Sequence, residues 1–199
     1  MGALGPRAVT ARDGLAIARI VKVNHAGEYG AIRIYTAQIA VAARLCPDAV
    51  PALSRMLAHE REHCAAFQAA MPARDARPCR IMKLWSCGGW LLGFLMALLG
   101  RQGIWACTAA VEAAVHRHLD DQLRFLAERD RQLHQVIASI REEELSHLQH
   151  AENNLRSPEP LLRCLRLAIS HMTDALIFLS TSADSRRMTR DLRAARSRA

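Results

Sequence analysis

An all-α fold is predicted for this 199-residue chain by two features: apolar residues recur at helical spacing along most of its length, and strand-like alternation with Asn-Gly or Asp-Gly turns is missing. A third feature, the placement of proline and glycine, cuts the helical pattern into segments. Pro47 and Pro51, the stretch 71–78 with Pro72 and Pro78, Gly100 with Gly103, and the stretch 157–160 act as breakers. Helices are therefore expected at about 13–44, 51–70, 80–99, 104–128, 130–156 and 160–182. Residues 1–183 are expected to form a single helical domain, and 184–199 a basic, disordered tail.

The composition, 51% apolar and 23% charged, excludes disordered, collagen-like and strongly acidic classes. The net charge of +8 is unevenly spread, because the last sixteen residues hold six arginines against Asp184 and Asp191, a net +4. The body is thus only mildly basic, which argues against a nucleic-acid groove. Six cysteines, at 46, 64, 79, 87, 107 and 164, form no C-x-x-C pair. They are expected as small buried apolar residues of a protein in a reducing, cytoplasmic compartment. The N-terminal stretch lacks a signal-peptide apolar core, and Pro6 departs from the myristoylation pattern.

The segment 80–99 differs from the others because no charge falls between Lys83 and Arg101. Its seventeen residues span roughly 25 Å as a helix, short of the roughly 30 Å hydrocarbon core of a bilayer. Trp85, Trp90 and Trp105 lie in or beside it, as in segments that sit at a headgroup boundary. With Leu91, Phe94 and Leu95, these residues are the candidates for membrane contact and substrate access. A buried central helix is the competing reading.

Chemistry is signalled by four glutamates that interrupt apolar helical stretches: Glu28, Glu60, Glu112 and Glu144. Two of them open Glu-x-x-His motifs, Glu60 to His63 and Glu144 to His147, and the i, i+3 spacing puts each pair on one helix face. Glu28 precedes Glu60 by 32 residues and Glu112 precedes Glu144 by 32, with the two halves offset by 84. This internal repeat matches a ferritin-like four-helix bundle, in which two helices each give a lone Glu and two give Glu-x-x-His around a carboxylate-bridged pair of metal ions. Two divalent ions also cancel the four carboxylate charges, which would otherwise be costly in a core. Oxygen-rich ligation with two imidazoles and no thiolate suits iron, with manganese open from ligand type alone. Tyr35, two turns after Glu28, and His118 are candidates for contact with the site, with His116 on the Glu112 face. His59, Glu62, Glu142 and Glu143 are expected as solvated surface groups.

These motifs, VNHAGEYGAIRIYTAQ, HEREH, ACTAAVEAAVHRHLDDQL and REEELSH, resemble in this order the demethoxyubiquinone hydroxylases, over about Ile20 to Leu179. The stretch His25 to Gly30 followed by Arg33-Ile34-Tyr35 is specific to that family within the ferritin-like group. The resemblance implies that Glu28, Glu60, His63, Glu112, Glu144 and His147 hold two irons per chain. It also implies that the substrate is a polyprenylated methoxy-methyl-benzoquinone, that O2 supplies the ring hydroxyl, and that NADH is the ultimate reductant. Arg117 and Leu119 depart from the His and Tyr found in many members. A lipid-like substrate in turn implies a membrane surface as partner, reached through the apolar segment and assisted by the basic tail. The expected location is peripheral, on the cytoplasmic face of the cell membrane, with an accessory ubiquinone-biosynthesis protein and a homo-oligomer as compatible partners and no nucleic acid.

Two other classes use the same metals. A ferritin-like tRNA hydroxylase would want a basic groove where this chain has an apolar segment. An iron-binding ferroxidase would have no use for that segment.

Overall fold

The computed structural model describes residues 9–156, 164–171, 175 and 189–193, and among them every regular element is helical. Five α-helices carry the architecture: α1 (Ala11–Leu45), α2 (Val50–Ala70), α3 (Met82–Leu98), α4 (Gly100–Leu126) and α5 (Arg131–Asn154). Local chemistry explains their ends. Thr10 and Asp13 close a capping box on α1, each side chain accepting from the other's backbone N–H at 3.1 Å. The turn to α2 contains Pro47, and Pro51 occupies the first turn of α2, where its missing N–H costs nothing. Asp130 caps α5 by accepting from the Leu133 N–H at 2.9 Å and also receives the Arg74 guanidinium at 2.6 and 3.0 Å.

Helices α1 and α2 pack as one antiparallel hairpin and α4 and α5 as a second, so the 84-residue repeat of the sequence is a repeat of hairpins. Between them runs α3, seated chiefly on α1 and secondarily on α4. Its approach to α1 depends on glycine: a Cβ on Gly89 would lie 2.8 Å from the Gly30 carbonyl oxygen, and one on Gly93 would overlap the Ile34 carbonyl. Gly100, at φ +71°, makes the turn into α4. Helix α4 therefore begins there and not at 104 as expected, and Gly103 lies inside it because its missing side chain lets it pack against the Met96 carbonyl.

Two apolar clusters fill the bundle. One contains Ile20, Phe67, Leu126, Leu133 and Ile137; the other contains Leu53, Ile104, Trp105 and Ala109. Residues 164–171 are helical, and Ile169 joins a third cluster with Ile34, Leu92 and Met96. Residue 175 is helical too, and the rest of the expected sixth helix lies outside the described residues. In the tail, the described residues 189–193 are helical, Leu192 is buried, and Asp191 pairs with Arg12 at 3.1 Å and Arg19 at 2.8 Å.

None of the described helices is long and apolar enough to cross a membrane. Helix α3 instead has two faces. Trp85, Gly89, Leu92 and Met96 turn inward, while Leu84, Trp90, Leu91, Leu95 and Leu98 are exposed, with Phe94 stacked on Trp90 at 5.1 Å. Two of the residues expected at the membrane face or the access path are buried. Trp85 is 5% exposed, held against Gly30, and Trp105 is 2% exposed, packed edge-on to His150 in the core. Cys46, Cys64, Cys79 and Cys107 are buried as expected, but Cys87 and Cys164 are exposed; all six are free thiols.

Candidate metal centre

Each hairpin brings one lone glutamate and one Glu-x-x-His pair to the middle of the bundle. Glu28 and Glu112 come from α1 and α4; Glu60 with His63 and Glu144 with His147 come from α2 and α5. All six side chains are buried, and they form two overlapping clusters. Glu28, Glu60, His63 and Glu144 make one, and Glu60, Glu112, Glu144 and His147 the other; within each, one ligand atom per residue lies within 4.8 Å of the rest. Metal–ligand bonds of roughly 2 Å place the donors around one ion about 3 to 4 Å apart, so each cluster has the size of a coordination sphere. Glu60 and Glu144 belong to both clusters and would be shared by two ions if both were bound.

The two imidazoles are oriented alike. His63 Nδ1 faces inward, 3.0 Å from Glu144 Oε1 and 4.0 Å from Glu28 and Glu60; His147 Nδ1 faces inward, 3.3 Å from Glu60 Oε1 and 3.8 Å from Glu112 and Glu144. Despite these short separations, both Nδ1 atoms, Glu60 Oε1 and Glu144 Oε1 are buried without an aligned hydrogen-bond partner. Buried orphan acceptors are costly, and divalent cations satisfy all of them at once. The residues therefore fit a pair of such ions.

Electrostatics point the same way. Burial, reinforced by the neighbouring carboxylates, pushes Glu60 and Glu112 well above the usual carboxylate range and Glu144 to about 8. Burial also raises Glu28. Burial and the adjacent imidazoles hold His147 down to about 3, so it is neutral and able to ligate. Tyr35 donates its hydroxyl to Glu112 Oε1 at 2.5 Å, and burial together with that carboxylate keeps the phenol protonated.

Two residues expected at the surface, His59 and Glu143, keep about 40% of their side chains exposed and also reach the histidines from behind. His63 Nε2 donates to Glu143 Oε2 at 3.1 Å, and His147 Nε2 meets His59 Nδ1 at 3.0 Å, the two rings stacked at 5.2 Å. The residue just before each Glu-x-x-His motif thus supports the histidine of the other motif. Sequence reasoning missed this because both face away from their own motif and reach the site only across the α2–α5 packing. A hydrogen bond from Nε2–H fixes the tautomer that leaves Nδ1 with its lone pair toward the centre. Glu62 and Glu142 are exposed, as expected.

Beside the clusters, a narrow cavity of about 60 Å³ is lined by Glu28, Glu60, Glu112 and Glu144 at one end and by Gly30, Ile34, Trp85, Gly89 and Leu92 toward α3. His118 lines it too, as does Asn24, whose amide exchanges two hydrogen bonds with Gln122 at 2.7 and 3.0 Å. His116 does not line this cavity. Of the two departures, Arg117 is exposed and Leu119 is packed in the apolar core.

The family model described as ubiquinone biosynthesis protein COQ7 matches residues 15–180. The mouse mitochondrial NADPH-dependent 3-demethoxyubiquinone 3-hydroxylase is 39% identical over 169 residues, 83% of this chain and 77% of that protein. The human protein of the same name is 42% identical over 136 residues, covering 66% and 62%. The 3-demethoxyubiquinol 3-hydroxylase of Rhodospirillum rubrum is 41% identical over 131 residues, covering 66% and 61%.

Proposed function

This chain belongs to the COQ7 family of ubiquinone biosynthesis, and on that premise we propose that Glu28, Glu60, His63, Glu112, Glu144 and His147 hold two iron ions in a ferritin-like bundle. The chain is a hydroxylating oxidoreductase of ubiquinone biosynthesis, acting on the demethoxyubiquinone ring. The observation that carries the metal reading is the pair of overlapping, buried ligand clusters sharing Glu60 and Glu144. When bound and reduced, two irons supply the electrons that allow one atom of O2 to enter the ring and the other to leave as water, with a nicotinamide dinucleotide as ultimate reductant. The relatives' names print NADPH, whereas the sequence reading expects NADH; turnover with each dinucleotide decides between them.

The chain's own residues bind, orient and enclose. Tyr35 holds Glu112 in one rotamer, and Glu143 and His59 hold the two imidazoles. The cavity between α1, α3 and α4 leads from the glutamates toward the underside of α3 and gives the ring its route. Roughly 150 Å³ suffices for benzene, so a cavity of about 60 Å³ admits a substituted quinone only if a side chain such as Trp85 or Leu92 moves. The enclosed state excludes water from the site, and ring entry opens it.

The substrate's prenyl tail lies in a bilayer, and the exposed apolar face of α3, with Trp90, Leu91 and Leu95, is the surface that meets it. We place the protein peripherally on a membrane, the cytoplasmic face of the cell membrane in a bacterium, with a single domain over 1–183. Quinone profiling tests the whole reading: cells lacking the protein accumulate the demethoxy intermediate, and the purified chain converts it with O2 and reductant. No accumulation and no conversion would sink it.

A further inference from the structure

We propose that Arg33 and Lys83 form a seat for a phospholipid headgroup phosphate beside the bilayer-facing side of α3. Tyr29 and Arg33 of α1 and Lys83, Ser86, Cys87 and Trp90 of α3 line an open groove of about 390 Å³. No carboxylate lines it, and neither Arg33 nor Lys83 forms an ion pair among the described residues. Arginines that reach inward elsewhere do find a carboxylate, as Arg74 finds Asp130 at 2.6 Å and Arg129 finds Asp13 at 3.3 Å. Arg33 instead keeps a buried Nε–H without a partner, its stem fixed against the backbone where Gly89 leaves room. A planar guanidinium, an ammonium and neighbouring hydroxyls are a donor set for a tetrahedral oxyanion.

Position selects the source of that phosphate. Trp90 is common to the groove and to the exposed apolar face that continues through Leu91 and Leu95. With those side chains among the acyl chains, the cations beside them lie at headgroup depth. The inward face of the same helix, at Trp85, Gly89 and Leu92, lines the substrate cavity. A phosphate held on one side of the α1–α3 seam therefore orients the cavity on the other side relative to the bilayer. This inference rests on the membrane reading above.

Binding of the full iron-loaded chain to pure phosphatidylcholine vesicles tests it, because a surface without net charge removes diffuse electrostatic attraction. Arg33→Gln with Lys83→Gln lowers the partition coefficient about tenfold, Lys83→Arg retains binding, and Arg55→Gln, at an exposed cation on α2, changes nothing. Unchanged iron content and circular dichroism show that the double variant is folded. Equal binding of the double variant and the parent, while Trp90→Asp abolishes binding, overturns the seat and leaves the membrane reading standing. No binding by the parent overturns both. A raised KM for the dinucleotide in the double variant with unchanged vesicle binding overturns the lipid assignment in favour of the dinucleotide phosphates.

Discussion

The two halves of the candidate metal centre are built on the same spacing yet are closed differently. In each, a glutamate and a histidine three residues later face the centre, and the residue just before the motif reaches across to the opposite histidine. Behind His63 that residue is the carboxylate of Glu143; behind His147 it is the imidazole of His59. A carboxylate behind one imidazole and a second imidazole behind the other support the two rings unequally. A repeated hairpin thus presents the same residue types to the centre while the support behind each histidine differs.

The largest expected effect comes from breaking what the halves share. Glu60→Ala or Glu144→Ala removes a residue of both clusters and leaves the chain with almost no iron, whereas Glu28→Ala or Glu112→Ala removes a residue of only one and leaves about one ion per chain; elemental analysis against protein concentration checks this, with circular dichroism to confirm folding.

The next effect depends on pH. In the metal-free chain Glu144 titrates near 8 instead of in the usual carboxylate range, so its neutral form is favoured by folding. Stability from this group is fully present below the ordinary carboxylate pKa and is lost as pH rises through about 8. Metal binding reverses the trend, because ions require the deprotonated side chains. The metal-free melting temperature should fall between about pH 5 and pH 8 while that of the iron-loaded chain rises; differential scanning fluorimetry on both forms reads the two slopes.

Smaller effects sharpen the asymmetry itself. Glu143→Ala should weaken iron binding on the His63 side by about 10- to 100-fold, and His59→Ala should weaken the His147 side by less, since a neutral hydrogen bond is lost in place of a charged one. Competition with a calibrated chelator measures both, and equal losses would show the halves to be equivalent. Tyr35→Phe is the mildest change. It strips Glu112 of its 2.5 Å hydrogen bond and should lower stability by about 1 to 3 kcal/mol, read from urea denaturation of the metal-free chain.

What was legible in the sequence follows from what is local. Helix positions came from apolar spacing and from Pro47, Pro51 and Gly100, all properties of neighbours along the chain. The six buried side chains that the bundle brings together are marked by i, i+3 pairs and by a repeat, again without tertiary information. His59 and Glu143 escaped because their role depends on the register between α2 and α5, which no single helix reveals. Which indole faces out is also a tertiary property: the rotation of α3 about its axis, set by Gly89 and Gly93 against α1, turns Trp85 inward to line the cavity and Trp90 outward, while Trp105 is buried from α4. The pairing of Asp191 with Arg12 and Arg19 joins positions more than 170 residues apart and leaves no local trace.

The most direct measurement is iron stoichiometry with Mössbauer spectroscopy on the purified chain that converts demethoxyubiquinone, beside Glu144→Ala. The account predicts about two irons per active chain, present as a coupled pair with two distinguishable environments, and loss of both in the variant together with activity. An active chain holding no iron pair, or a Glu144→Ala chain with undiminished iron, would contradict it.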